Sequence, residues 1–291
     1  MAEITADFLA DWCKMQRAEI LRMGYALRPN DTPETISLAF HNVQRRIIPP
    51  RRRTVLQSRE LSCPYEQRAG LNVALKKAAK GLDLRPNQSK TLLRSEYNDA
   101  LLNDWRIHHF HLGIGPDPSA PDFIERTGPV LFAYVTEREL YAIDVMEHGS
   151  WACQRLLEII HRNWPNLLGP YRVRALGLEC VPKDDDVKAG RSGHVQLMTQ
   201  IDGVVYAPPG GGYATSGTSI EVVDRHQNAR RTILLIQDYV TQNINTLINA
   251  ARKQSLAMKP PFHFKLSLVC ADRVEVTEIN SGAVFPLPLH S

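Results

Sequence analysis

The sequence predicts an α+β fold in which a helical N-terminal region is followed by antiparallel-sheet regions with packed helices. Three observations predict it. Apolar residues recur at the helical period in the first third of the chain. Segments with the sequence pattern of β-strands appear in the middle, and short segments of the same kind, separated by turn residues, continue to the last residues given. We expect a helical region over 1–90, a histidine-bearing α+β core over 91–170 and a C-terminal α+β region over 171–291.

Helical patterns dominate the first ninety residues. The apolar stripe of 4–28 follows the helical period, and a proline suited to a first turn opens a second helix over 33–46. Residues 53–61 alternate loosely, which indicates an extended segment. Alanine and lysine favour a helix over 65–81, where a glycine suits the end, and a leucine-rich stripe predicts another helix over 89–103.

Strands are predicted from residue 105 onward. The middle of the chain contains a strand over 105–113, a hairpin over 129–136 and 140–145, and a helix over 150–163. In the last third, the turn pair Asp202-Gly203 joins two short strands. The remaining predicted elements are a strand over 171–180, the two hairpin strands over 195–201 and 204–206, a helix over 229–253, and strands over 262–269 and 273–279.

Composition narrows the class of protein. The net charge of +4 is mildly basic, and the dense run Arg51, Arg52 and Arg53 is suited to holding phosphates. No apolar run approaches the roughly 20 residues that cross a bilayer, and acids stand near the N-terminus where a secretory signal carries positive charge. Five widely spaced cysteines form no C-x-x-C pair. We expect a cytoplasmic protein without a membrane partner.

The densest chemical feature is His108-His109-Phe110-His111, and all three of its histidines are candidate catalytic residues. On a strand, alternate side chains share a face, so His109 and His111 project together and His108 projects the other way. Two histidines at this spacing can act as a general acid and base across one phosphodiester, or bind one metal ion. His148 follows the predicted hairpin and is expected to join the cluster at a strand end.

Two chemistries remain open at this cluster. A metal-dependent hydrolase would use a divalent ion held by His109, His111, His148 and Asp144, but no established metal-binding motif is present. Chemistry without a cofactor needs only histidines and a cation that stabilises the phosphorane. The candidate cations are Arg106, Arg155 and the run Arg51, Arg52 and Arg53.

The histidine segment resembles a block of uncharacterised bacterial proteins. Residues 104–113 are similar to their D-W-x-I-H-H-x-H-L block, and 148–165 and 81–89 are similar to two further blocks, so the resemblance covers roughly 81–165. A histidine-bearing strand with a hairpin is also similar to RelE-like and barnase-like toxin ribonucleases. That second resemblance implies a bacterial toxin or antiviral defence setting.

A glycine-rich segment, 208–219, is the second notable feature. Its glycines permit close backbone approach, and its hydroxyls suit a phosphate or a sugar, which makes Gly211, Thr215 and Ser216 candidate substrate contacts. The segment lacks the Gly-Lys-Ser of a phosphate-binding loop. A surface loop and a lid over the histidines are both consistent with it.

Three functions follow from these features. The leading hypothesis is an intracellular nuclease that binds nucleic acid, RNA in preference to DNA, and uses His109 and His111 as the acid–base pair with His148 assisting. The second is the metal-dependent hydrolase. The third is a non-enzymatic regulator whose long helices, 4–28 and 229–253, contact a protein partner or a second copy of the chain.

Overall fold

The computed structural model describes residues 3–269 and 273–288, and its helices and mixed sheets confirm the α+β fold class. The helices are α1 Phe8–Arg22, α2 Pro33–Arg46, α3 Arg68–Lys80, α4 Ala100–Trp105, α5 Arg155–Asn163, α6 Pro165–Leu168, α7 Asp184–Ser192, α8 Ile220–Gln242 and α9 Ile244–Lys253. The strands are β1 Ile4–Ala6, β2 Thr54–Gln57, β3 Ile107–His111, β4 Pro116–Asp117, β5 Ala120–Ile124, β6 Pro129–Val135, β7 Glu139–Glu147, β8 Arg172–Val173, β9 Thr199–Ile201, β10 Val204–Tyr206, β11 Phe262–Val269, β12 Arg273–Glu278 and β13 Val284–Pro288.

The chain divides into two compact units. The first combines Met1–His41 with Asp224–Ser291, and the second is the continuous segment Asn42–Val223. The expected divisions after residues 90 and 170 both fall inside the second unit. The first unit joins the two ends of the sequence because β1 pairs in parallel with β11.

The first unit is built on a four-stranded sheet of order β1-β11-β12-β13. Helix α1 begins at Phe8, where the Asp7 side chain accepts a hydrogen bond from the Ala10 N–H, so the predicted helix 4–28 is shorter than expected and is preceded by a strand. The predicted helix 229–253 is α9 with most of α8, divided at Asn243. Buried aromatic side chains such as Phe8 and Phe264 fill the core between helices and sheet.

The second unit is built on a four-stranded sheet of order β2-β7-β6-β3. One face packs against α5 through residues such as Phe132 and Ile160, and the other packs against α3 through residues such as Leu131 and Leu75. The predicted hairpin of β6 and β7 is confirmed, and the histidine strand β3 pairs antiparallel with β6. Both faces are therefore covered by helices, and the sites open for chemistry lie at the sheet's ends and edge.

Several predicted elements of the second unit differ from the structure. The predicted helix 89–103 is wrong: Ser89 begins a single turn of 3₁₀-helix, and α4 starts only after Asp99, whose side chain accepts a hydrogen bond from the Leu102 N–H. The predicted strand 171–180 is reduced to β8. The hairpin around Asp202-Gly203 is confirmed, because both residues adopt the positive φ of +47° and +79° that a tight turn requires.

Among the described residues, no helix has the length and apolar character needed to cross a membrane.

Candidate functional site

Three imidazole rings converge at one end of the β3–β6–β7 sheet. The ring centroids of His109 and His111 are 6.1 Å apart, as strand alternation predicts, and the His148 ring lies 5.6 Å from His111 and 6.5 Å from His109. His148 reaches this position because it follows β7, and its backbone N–H donates to the carbonyl of Gly128, just before β6. The predicted convergence of the three histidines is therefore confirmed.

Trp151 packs against both His109 and His148. Its indole ring lies 4.5 Å from the His109 ring and 4.8 Å from the His148 ring, measured between centroids, and it also contacts Phe132. Packing on two histidines and on the sheet limits the rotamers of both imidazoles. The short spacing His148 to Trp151 was the available signal for this role.

A cleft of about 330 Å³ opens beside the cluster. One wall is the irregular segment before α4, a second wall is the turn around Trp151 together with α7, and His109 and His148 both face the opening. The residues that line it are Ser89, Thr91, Tyr97, Asp99, Ala100, Leu101, His109, Arg126, His148, Gly149, Trp151, Ala152, Lys188, Arg191 and Ser192. The basic side chains outnumber the single carboxylate, which favours an anionic ligand.

His111 lies behind the cleft. It is only 1% exposed, its Nδ1 accepts the Thr127 N–H at 3.4 Å, and its Nε2 is buried without a hydrogen-bond partner. The predicted working pair of His109 and His111 is thereby revised, because the two histidines that a ligand can reach in the cleft are His109 and His148.

His108 points to the opposite face of β3, as alternation predicts. It is 9% exposed and lines a small cavity of about 20 Å³, enough for one water molecule, which shares Asp99 and His109 with the lining of the neighbouring cleft. Because His108 does not line the cleft, its position does not support the catalytic role expected for it.

Arg126 contacts His148 directly, and no sequence pattern predicted this pair. Its Nη2 lies 3.0 Å from His148 Nε2, so the guanidinium donates and the imidazole accepts. The proton of neutral His148 then resides on Nδ1. Arg126 stands just before β6 and His148 just after β7, so the hairpin brings the two ends together.

All three clustered histidines favour the neutral form. Burial lowers the pKa of His111 to about 3 and also lowers the pKa of His109, and in both cases the neighbouring His148 and Arg126 lower it further. The pKa of the more exposed His148 is lowered by burial and by Arg126. At neutral pH these imidazoles are therefore proton acceptors.

Asp144 is engaged elsewhere and does not complete a metal site with the histidines. Its Oδ1 accepts the Ser62 and Val145 N–H groups, and its Oδ2 lies 3.6 Å from Arg155. Within residues 3–269 and 273–288, no group of three or more His, Cys, Asp or Glu side chains is arranged to hold a metal ion. The Arg126 guanidinium against His148 also opposes a cation at this point.

The other predicted phosphate-binding arginines lie outside the cleft. Arg106 lies 3.9 Å from Glu221, and Arg155 faces Asp144. The Arg53 guanidinium is buried and donates to three backbone carbonyls, so these contacts do not support its expected role as a substrate contact. Arg51 and Arg52 remain exposed at the opposite end of the hairpin.

The glycine-rich segment is fixed to α4 and does not line the cleft. Gly210 N–H donates to the Asp104 carbonyl, and Gly212 N–H donates to the Asn103 carbonyl. The expected contacts Gly211, Thr215 and Ser216 are exposed but are absent from the lining of the histidine cleft. A role for these three as a lid over the histidines is therefore unsupported. Within the described chain, the segment acts as a support for α4.

Arg191 is a further residue that the sequence did not single out. Its Nε lies 2.9 Å from Asp104 Oδ2, its guanidinium stacks 4.2 Å from the centroid of the Trp105 ring, and its Nη1 donates to the Trp151 carbonyl. These contacts connect α7 to the turn that carries Trp151. The buried Arg191–Asp104 pair therefore holds one wall of the cleft.

Comparisons with family models, with curated proteins and with solved structures find no match for this chain. The resemblances to uncharacterised bacterial proteins and to toxin ribonucleases stay predictions from the sequence.

Proposed function

We propose that the protein is an endoribonuclease that cleaves RNA by histidine acid–base chemistry, in which no metal ion takes part. The observation that carries the proposal is the pair His109 and His148. Their rings lie 6.5 Å apart and face one cleft with basic walls. This separation leaves room for a phosphodiester between an acid and a base.

His109 is suited to the base. Its lowered pKa keeps it neutral at pH 7, so it accepts the proton of a ribose 2′-hydroxyl as the 2′-oxygen bonds to phosphorus. His148, once protonated, donates a proton to the 5′-oxygen as the phosphorus–oxygen bond breaks. The products are a 2′,3′-cyclic phosphate and a free 5′-hydroxyl, which balances both protons.

Cations around the cleft are positioned to stabilise the charge that develops on phosphorus. Arg126 already donates to His148, and Lys188 of α7 also lines the cleft. A bound phosphodiester beside Arg126 would also favour protonated His148, because the anion offsets the guanidinium charge. Substrate binding and formation of the acid are thus linked.

RNA is favoured over DNA because this chemistry uses the substrate's own 2′-hydroxyl as nucleophile. A DNA nuclease needs another nucleophile, commonly a water molecule activated by metal ions. The resemblance to toxin ribonucleases supports RNA as well, and a bacterial toxin or antiviral defence setting is part of the proposal.

The test measures cleavage of end-labelled RNA and DNA by wild type, His109→Ala and His148→Ala. Each substitution is expected to reduce RNA cleavage by about 10² to 10⁴-fold, the usual contribution of a general acid or base. Arg155→Ala, outside the cleft, serves as the control. Cleavage at the wild-type rate by both histidine variants contradicts the proposal.

The metal-dependent alternative is distinguished by metal analysis. It draws on the proximity of three imidazoles and on the unpartnered Nε2 of His111. Stoichiometric metal in the purified protein, with activity lost to a chelator and restored by the ion, would replace the metal-independent mechanism. The non-enzymatic alternative predicts no cleavage of either nucleic acid by the wild type.

A further inference from the structure

The arginine run that the histidine site does not use forms its own surface. A groove of about 560 Å³ is lined by Arg51, Arg52, Arg53, Thr54, Ala79, Glu137 and Arg138, and we name it the arginine groove. Four of its side chains are arginines, and a single one is a carboxylate. This concentration of positive charge is suited to a polyanion.

Hydrogen bonds from the buried Arg53 hold the backbone of the arginine groove in place. Arg53 donates to the carbonyls of Thr136, Pro49 and Arg51 at 2.8, 3.1 and 3.2 Å. The Arg53 N–H donates to the Ala78 carbonyl at the end of α3. The buried arginine therefore fixes the segment whose neighbours, Arg51 and Arg52, are exposed.

Gly81 shows how closely α3 approaches this segment. It adopts a φ of +74°, and a Cβ at this position would lie 2.6 Å from the Arg52 nitrogen. The Thr54 N–H also donates to the Arg138 carbonyl at 2.8 Å. Three separate parts of the chain are thus joined into one basic surface.

The like charges of this surface are incompletely neutralised. Arg51 pairs with Glu137 at 3.0 Å in an exposed ion pair, while Arg52 and Arg138 are exposed and have no ion pair within the described residues. Burial lowers the pKa of Arg53, and the adjacent charge of Arg51 lowers it further. An anion bound in the groove would offset this repulsion.

The groove and the histidine cleft lie at opposite ends of the β6–β7 hairpin. Arg138 precedes β7 and His148 follows it. At a rise of about 3.3 Å per residue, the two backbone positions are about 30 Å apart. One phosphate cannot contact both sites, and at about 3.4 Å per nucleotide in a helical strand a ligand needs roughly nine nucleotides to span them.

We propose that the arginine groove is a second nucleic-acid site, which binds the phosphate backbone of a long strand away from the point of cleavage. The polynucleotide partner rests on the proposed ribonuclease function, but the binding does not depend on the chemistry of the histidines. Arg51 and Arg52 contact phosphates, and Arg53 is a positioning residue.

The test compares Arg51→Gln/Arg52→Gln with Arg230→Gln/Arg231→Gln, another adjacent exposed arginine pair that removes the same charge. The ligands are 20-nucleotide and 4-nucleotide 2′-O-methyl oligoribonucleotides, which lack the nucleophile and stay intact. Fluorescence anisotropy at several salt concentrations gives the Kd. The groove variant is expected to bind the 20-mer roughly tenfold more weakly, with a salt slope reduced by about 1.4, and to bind the 4-mer as wild type does.

Equal weakening by the control variant would overturn the proposal, because net charge alone would then explain it. Wild-type binding of the 20-mer by the groove variant would overturn it too, as would binding to anionic phosphatidylserine vesicles without binding to the 20-mer. If RNA is not cleaved but the groove variant still loses affinity for the 20-mer, the proposed function fails and the groove proposal stands.

Discussion

The contact between Arg126 and His148 influences whether His148 is protonated or neutral. The guanidinium favours neutral His148, while the proposed acid must carry a proton. Fewer protonated His148 side chains at neutral pH mean slower cleavage there. We therefore expect the rate to rise as the pH falls below neutral, until protonation of His109 removes the base.

Arg126→Gln is expected to raise the pKa of His148 toward its ordinary value of about 6.5. The alkaline limb of the cleavage profile should move to higher pH, while the maximal rate falls because a cation near the phosphorane is lost. NMR titration of the imidazole and pH profiles of kcat measure both effects. Arg155→Gln is the matched control, and an unchanged His148 titration in the Arg126 variant would contradict the assignment.

Strand alternation accounts for what the sequence could predict about single residues. It separated His108 from His109 and His111, because neighbouring side chains on β3 point to opposite faces. It could not predict that His111 is covered, since burial depends on Thr127 and on the packing of His148. No sequence pattern predicted that Arg126, Lys188 and Arg191 belong to the cleft, because only folding brings them there.

Irregular segments and short elements form most of the cleft at the scale of secondary structure. The predicted helix 89–103 was wrong because Ser89 and Asp99 each cap a separate short helix, and the chain between them supplies Thr91 and Tyr97 to the wall. Periodicity alone could not reveal this, since the leucines of the segment are spaced as in one helix. The hairpins were predictable because turn residues and alternation agree there.

The glycine-rich segment supports α4 through close backbone packing, which gives a prediction for a single element. A Cβ at Gly210 would lie 2.3 Å from the Asn103 carbonyl oxygen, whereas within the described chain only the adjoining residues come within 4 Å of a Cβ at Gly211. Gly210→Ala is expected to lower the free energy of unfolding by about 3 kcal/mol. Gly211→Ala should lower the free energy of unfolding by only about 1 kcal/mol, because alanine is strained at the φ of +86° that Gly211 adopts.

Urea unfolding followed by circular dichroism measures this difference. Equal losses in the two variants would show that the close approach of Gly210 to α4 contributes nothing to stability.

Buried neutral histidines connect the whole molecule's stability to pH. Burial lowers the pKa of His108 to about 3, well below the ordinary value of about 6.5. The unfolded chain therefore binds this proton first as the pH falls. The stabilising effect of neutral His108 is fully present above pH 6.5 and is lost progressively toward pH 3.

Between pH 6.5 and pH 4.5, His108 alone is expected to reduce the free energy of unfolding by about 2 kcal/mol. The free energy of unfolding of the His108→Gln variant should fall correspondingly less over this pH interval, whatever its value at pH 6.5. Urea titrations at the two pH values provide the measurement, with the exposed His194→Gln as control. An identical acid sensitivity in wild type and His108→Gln would exclude this origin.

The parallel pairing of β1 with β11 has a consequence for how the protein is made. Ile4 pairs with Phe262, so the first unit can close only after residue 262 has left the ribosome. The second unit is continuous and carries every residue of the histidine cleft. About 50 residues separate its completion from the synthesis of β11, a few seconds at 5–20 residues per second. The nascent chain can therefore form the histidine cleft while strand β1 still awaits its partner strand.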